Sequence, residues 1–170
     1  MKKIVLVYGA IAGIIVSTFM LGSIAVCYKT QNFDGNIYVG YASMILAFSL
    51  TFVGIKNYRD KQNEGIISFG KAFKIGLLIT LIASTMYVIS WMIDYYFFIP
   101  DFMEKFTSQA IEKARASGAT ASEISSKTAE FAEYNEMYKT PIGVMLLTYM
   151  EILPVGLLVS LISALILKKK

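Results

Sequence analysis

Two acidic residues stand inside long uncharged stretches, and they are the residues most able to do chemistry. Glu151 interrupts the stretch 142–167, and Asp94 interrupts 75–99. A carboxylate inside a membrane-crossing helix is costly and by default marks a candidate functional site. Helical rise places Glu151 about 5 Å, and Asp94 about 10 Å, from the middle of its own stretch. If the two groups faced each other, desolvation and repulsion would favour protonation of at least one, as proton or cation binding requires.

Each carboxyl also has a purely structural interpretation. Asp94 is shallow enough to reach the water interface, and either group could be held by a nearby hydroxyl (Tyr87, Ser90, Thr148 or Tyr149). Pro154 follows Glu151 by three residues, removes one backbone hydrogen bond and frees the carbonyl of Met150. A kink and a free carbonyl beside a carboxylate suit a hinge or a cation-coordinating position. Proline kinks also occur in inert helices, so both interpretations stay open.

Four uncharged stretches must position these residues, and they define the class of protein. The chain has 170 residues, of which 56% are hydrophobic and 16% charged, whereas soluble domains carry roughly 25% charged residues. The stretches 4–28, 37–55, 75–99 and 142–167 contain no basic residue. Each is long enough to cross a hydrocarbon core about 30 Å thick. We predict an all-α integral membrane four-helix bundle, with residues 1–170 forming a single domain.

The basic residues predict the orientation of this bundle. Ten of the 16 Lys and Arg residues lie at the N-terminus, in the 56–74 connection and at the C-terminus, including Lys170. With four spans these ten share one side, so the positive-inside rule predicts that both termini are cytoplasmic. The first stretch favours a retained signal anchor, because it exceeds a cleavable h-region of roughly 7–15 residues. Ser23-Ile24-Ala25 also fits a cleavage site, so that alternative stays open.

The segment 100–141 is predicted to form an extracytoplasmic helical hairpin between the third and fourth spans. Its first helix runs from about Asp101 to Ala116 before Gly118, and its second begins at Thr120, which makes a capping-box pattern with Glu123. Each helix has an apolar stripe. The stripes either pack together and on the spans as a lid, or form a surface for a partner or ligand. An aromatic belt is predicted at the same boundary, from Tyr28, Trp91, Tyr95, Tyr96 and Tyr138.

Small residues recur on one face of the first span, at Gly9, Gly13 and Ser17. This spacing lets another helix approach closely, either within the bundle or in a homodimer. Most catalytic chemistry is disfavoured, since the chain has no histidine and one cysteine and no phosphate-binding loop or metal-ligand cluster. We therefore expect no enzyme activity, no cofactor and no metal. We also expect no nucleic-acid partner, because the net charge of +4 follows from the membrane topology.

One stretch of sequence and one span carry a family resemblance. The residues are Ile67–Gly76, continuing through Ala83, Tyr87 and Trp91 to Asp101-Phe102, and then Glu151–Gly156 with Ser160–Ala164. This pattern resembles the bacterial domain of unknown function 4199 family over nearly the whole chain. The resemblance implies a small multi-span protein of the bacterial inner membrane, with a long extracytoplasmic segment between its last two spans. It implies no activity and transfers no functional residue.

Two functions are therefore expected, from different classes. The first is a non-enzymatic accessory or scaffold membrane subunit, which contacts lipids and either a second copy or another membrane protein. The second is a small oligomeric proton- or cation-coupled carrier that uses Glu151, alone or with Asp94, as its binding site. The direction in which Glu151 faces separates them, since a carrier needs a polar cavity around that carboxyl.

Overall fold

The computed structural model describes residues 1–33 and 37–169, and these fold into α-helices joined by short connections. The helices are α1 (Lys2–Thr30), α2 (Ile37–Gln62), α3 (Phe69–Phe97), α4 (Phe102–Ala116), α5 (Ala121–Tyr138) and α6 (Pro141–Leu167). Within the described ranges there is no strand, only an isolated antiparallel bridge between Ile67 and Lys169. The all-α class is confirmed. Lys170, one of the ten basic residues that predict the orientation, lies outside the described residues.

Four of the helices, α1, α2, α3 and α6, are long and apolar enough to cross a membrane, which confirms the prediction of a multi-pass membrane protein. Two of them extend well beyond the uncharged stretches. The second helix continues from residue 55 to Gln62, and the third begins at Phe69 rather than at residue 75. The reason is that basic residues limit the apolar stretch without breaking a helix, since Lys and Arg are good helix formers.

The four long helices form a ring in which α1 contacts α3 and α2, while α6 contacts the same two helices on the other side. Three apolar clusters fill the interior. One lies toward the chain termini around Ile75, one in the middle around Phe48, and one toward α4 around Trp91. Helix α3 therefore touches every part of the core, and it contributes more buried residues than any other described helix.

Local chemistry explains where the helices begin. Ser68 caps α3 by accepting a hydrogen bond from the Lys71 amide, and Thr140 caps α6 in the same way, with Pro141 in its first turn. The predicted capping box at the start of α5 is present. The Glu123 carboxylate accepts a hydrogen bond from the Thr120 amide at 2.7 Å, and the Glu123 amide donates one to the Thr120 hydroxyl at 3.3 Å. These caps satisfy amides that would otherwise lack partners.

Contacts between remote parts of the chain close one end of the ring, which we call the basic end. The Ile67 amide donates to the Lys169 carbonyl, and the Lys169 amide donates to the Ile67 carbonyl, both at 2.9 Å. Arg59 donates to the carbonyl of Leu167 at 3.4 Å, and the N-terminal ammonium donates to Gln62 at 2.8 Å. Both chain termini and the α2–α3 connection therefore share this end.

Helices α4 and α5 lie at the opposite end, which we call the α4–α5 end. Here α4 is anchored, because Met103 and Thr107 are buried and Tyr28 donates to Asp101 at 2.6 Å. Helix α5 is held more loosely than α4. It contacts α4 through an edge-to-face pair of Phe106 and Phe131, and none of its residues is buried.

The residues of the predicted aromatic belt lie near this end, but two of them do not face outward. Trp91 and Tyr95 are buried, and they stack on each other with their ring centroids 6.1 Å apart. Phe102 of α4 packs edge-on against Trp91 at 5.2 Å, and Tyr138 of α5 packs edge-on against Tyr95 at the same distance. Trp91 and Tyr95 therefore connect α3 to α4 and α5 instead of facing outward, whereas Tyr96 is exposed.

Candidate functional site

Glu151 opens to the outside of the bundle. Its side chain is exposed, whereas the next residue, Ile152, is fully buried. Tyr149 on the same helix reaches α3, where its hydroxyl lies 2.8 Å from that of Thr85. Residues two apart on a helix point about 200° apart, so Glu151 projects from the flank away from this contact.

Glu151 has two tyrosine phenols on one side and is exposed on the other. Its carboxyl lies close enough to act electrostatically on the phenols of Tyr87 and Tyr138. Within the described part of the chain the carboxyl makes no hydrogen bond and no ion pair. The arrangement is therefore a carboxyl at the bundle surface, with aromatic hydroxyls on its protein side.

Tyr138 lies at the junction of α5 with the membrane helices. Partial burial raises the pKa of its phenol to about 12, and the negative charge of Glu151 acts in the same direction. The nearby Trp91 and Thr148 act the other way, because they stabilise the phenolate. The phenol is therefore protonated at neutral pH.

Asp94 lies in a different place, on the α1 side of the α4–α5 end. It lines an open groove of about 360 Å³ that α1 and the end of α3 form together; the other lining residues are Leu21, Ile24, Ala25, Tyr28, Phe98 and Ile99. Its charge acts on Tyr28, whereas that of Glu151 acts on Tyr87 and Tyr138. The structure therefore does not bring the two carboxyls together as a pair.

Pro154 faces outward. The helix runs through it without interruption from Pro141 to Leu167. The carbonyl that a proline at this position frees belongs to Met150, which is 70% exposed. Glu151, Met150 and Pro154 are all exposed residues of α6.

The small residues of α1 pack against α3. A side-chain carbon built on Gly9 would lie 2.8 Å from Ile82, and one on Gly13 would lie 3.0 Å from Cβ of Met86. Ser17, the third member, is also buried. The ribbon is therefore occupied by a helix of the same chain, and it offers no open face to a second copy.

A second layer of small residues, between α3 and α6, was not singled out from the sequence. Thr80 donates to the Gly156 carbonyl at 3.1 Å, and its hydroxyl lies 3.0 Å from that of Ser160. Gly76 faces Ser160 so closely that an added Cβ would lie 2.9 Å from its side chain. The signal was present, since Gly76, Thr80 and Ser84 on α3 and Gly156, Ser160 and Ala164 on α6 repeat the four-residue spacing of α1.

Three other buried hydroxyls have no hydrogen-bond partner among the described residues. They belong to Ser17, Thr51 and Ser84, on α1, α2 and α3 respectively. A buried hydroxyl without a partner is uncommon and costs free energy. These groups show that the interior has polar capacity beyond what its own contacts use.

Comparison with known proteins assigns the chain to a family. A family model described as a protein of unknown function (DUF4199) matches residues 7–169. The chain belongs to the DUF4199 family. This match covers nearly the whole chain, including all four apolar helices, so the sequence-based recognition is confirmed. No curated protein and no solved structure matches this DUF4199 member, and the family is described as one of unknown function.

Proposed function

We propose that this DUF4199 protein is a non-enzymatic accessory or scaffold subunit of a bacterial inner membrane, with both termini cytoplasmic. The observation that carries the proposal is the loose attachment of α5. This 18-residue helix has an apolar stripe, yet none of its residues is buried, and Tyr134 and Met137 are each 38% exposed. An amphipathic helix normally buries its apolar stripe. A partner membrane protein would complete that burial.

The chemistry of the spans supports the same proposal. The interior is filled by packing residues such as Gly76, Thr80 and Gly156, which hold α3 to α6. The chain has no histidine to serve as a base or a metal ligand. Its two carboxyls within the spans lie apart, at an exposed flank of α6 and in an open groove. This is the composition of a protein that binds other proteins and lipids.

The orientation in the proposal rests on charge. The basic end holds both termini and the α2–α3 connection, and the positive-inside rule assigns such an end to the cytoplasm. Helices α4 and α5 are then extracytoplasmic. Cysteines introduced at Ser125 in α5 and at Lys61 in α2, with Cys27 replaced by Ser, test this with a membrane-impermeant maleimide. Labelling of intact cells at residue 61 and not at residue 125 would show that the proposed orientation is wrong.

Photo-crosslinking from α5 tests the accessory function. A photoreactive amino acid replaces Tyr134 on the stripe or the exposed Ala129, which points about 140° away from Tyr134 around the helix, and membranes are irradiated before mild solubilisation. We expect one discrete protein adduct from position 134, none from position 129, and co-purification of the same partner without crosslinking. A protein that gives only lipid adducts and purifies as a lone monomer would contradict the proposal.

A carrier is the second candidate function, and the three unpartnered hydroxyls favour it. Ser17, Thr51 and Ser84 would suit a hydrated path through the ring. Glu151, which a carrier would use as its proton- or cation-binding group, lies on the outer flank of α6. Flux into liposomes that contain the purified protein tests this, with Glu151→Gln as the comparison. Flux that the substitution abolishes would establish the carrier, whereas absence of flux under proton, sodium and potassium gradients would exclude it.

A further inference from the structure

Glu151 is an exposed acidic residue of α6 that has no oppositely charged partner among the residues the structure describes. It lies three residues from the centre of α6, which is about 5 Å along the helix axis, toward the α4–α5 end. Polar groups in the spans of membrane proteins usually face the bundle interior or pair with one another. This one is exposed, and it has no hydrogen bond or ion pair within the described residues.

No cation of this protein can reach that depth. The apolar stretches 4–28, 37–55, 75–99 and 142–167 contain no Lys or Arg. The lysines that flank α6 are Lys139 and Lys168, which lie about 18 Å and 25 Å from Glu151 along the helix axis. A second copy of the chain has the same deficit, so a symmetric pair would bring acid against acid. A partner that carries the opposite charge at this depth would therefore be a different protein.

We propose that the Glu151 flank of α6 binds a membrane-spanning helix of a partner protein, and that this helix carries one lysine or arginine at the depth of Glu151. Charge complementarity selects the occupant, because an ion pair within the hydrocarbon region removes the cost of exposing either charge to lipid. The inference deepens the accessory function proposed above and rests on it, because it names the partner's chemistry and the surface that recognises it.

The rest of the flank has the form that a packed helix needs. Leu158 and Leu165 follow Glu151 by seven and fourteen residues and are 58% and 48% exposed. A seven-residue repeat keeps one face toward a partner helix in left-handed packing. The ion pair would therefore fix depth and register, while the leucines supply apolar contact over about 20 Å of helix.

A synthetic helix tests the proposal without knowledge of the natural partner. The probe is a labelled peptide of about 20 Leu and Ala residues, with a single Lys three residues from its centre. A matched peptide has Gln at that position. Both are mixed with the full-length labelled protein in phosphatidylcholine vesicles at neutral pH, and energy transfer measures association. We expect the Lys peptide to bind about tenfold more tightly than the Gln peptide.

Three protein variants make the result specific. Glu151→Gln should abolish the preference for Lys, and Glu151→Lys should instead prefer a peptide with Glu at the same position, three residues from the centre. Asp94→Asn, which removes the other carboxyl within the spans, should keep the preference for Lys. Equal binding of the Lys and Gln peptides by the wild-type protein would overturn the proposal, as would a Lys preference that persists in Glu151→Gln.

The outcomes also separate this inference from the accessory function. If crosslinks from α5 form while the peptides bind equally, the accessory function stands and the proposed recognition by Glu151 is wrong. If the Lys preference is found while α5 gives no protein adduct, the binding surface on α6 stands and the accessory function loses its main support.

Discussion

Replacing Gly156 by alanine should destabilise the bundle at the point where three of its helices meet. A Cβ at this position would lie 2.9 Å and 3.0 Å from two ring carbons of Phe48 on α2, and closer still to the methyl group of Thr80 on α3. Ordinary contacts of this kind begin near 3.4 Å, so α6 must move by about half an ångström or more. Phe48 and Thr80 are both fully buried, which leaves them little room to adjust.

The expected magnitude follows from the competing terms. Adding a methylene group to a filled core typically costs about 1–3 kcal/mol. Rotation of Thr80 away from the new methyl would break its bonds to Gly156 and Ser160, each worth about 0.5–1.5 kcal/mol. Against this, alanine stabilises the helix by about 0.5–1 kcal/mol relative to glycine, because its helix propensity is higher. We therefore expect a net loss of about 1–3 kcal/mol in the free energy of unfolding.

The assay is reversible unfolding in mixed micelles, followed by far-ultraviolet circular dichroism. Gly22→Ala in α1 is the matched control, because nothing lies within 4 Å of its added Cβ, and it should be neutral or slightly stabilising. Thr80→Ser keeps the hydroxyl and removes the methyl group, so Gly156→Ala should cost about 1 kcal/mol less in that background. If Gly156→Ala is as stable as the Gly22 variant, the packing argument is wrong.

Two further predictions concern the α4–α5 end. Gly143→Ala should detach α5 from α6 and increase hydrogen exchange over residues 121–138 more than over α4, because the new Cβ would overlap the backbone carbonyl of Met137. Uniform exchange over both helices would contradict this. A hydrogen bond and ion pair with Lys105, 2.6 Å from the carboxylate, hold the pKa of Asp101 below its ordinary value of 3.8. A depressed pKa contributes stability above 3.8 that is lost as pH falls through the lower folded value. The fluorescence of Trp91, the single tryptophan, should therefore stay constant from neutral pH down to about 4 and change below it, and Asp101→Ala should remove this transition.

Much of the architecture could be predicted from the sequence, because a bilayer imposes a simple requirement. A span needs about 20 apolar residues whose backbone groups bond within the helix, so four uncharged stretches predict four long helices. Local chemistry predicted the start of α5 equally well, because the Thr120 and Glu123 capping box depends on neighbours three residues apart. Family membership also followed, since residues 7–169 keep the pattern of the family.

The rotation of each helix about its own axis could not be predicted, and that rotation decides the candidate site. Hydropathy gives the depth of Glu151 but not its direction, which depends on how Gly156 and Ser160 pack against α3. Trp91 and Tyr95 illustrate the same limit. Aromatic residues at this depth fit a lipid-facing belt and a protein contact equally well, and only tertiary packing selects the second.

The contrast between the inside and the outside of the ring bears on the kind of function this fold can have. Inside, hydroxyls and glycines such as Thr80 and Gly76 hold the helices close together, and an added carbon at Gly76 would already crowd Ser160. Outside, the carboxyl of Glu151 and the apolar stripe of α5 are left exposed by the fold. Helices packed this closely leave the outer surfaces as the places where a partner can bind. The proposed partner therefore has to match an acid at one depth of the membrane and an apolar stripe beyond it.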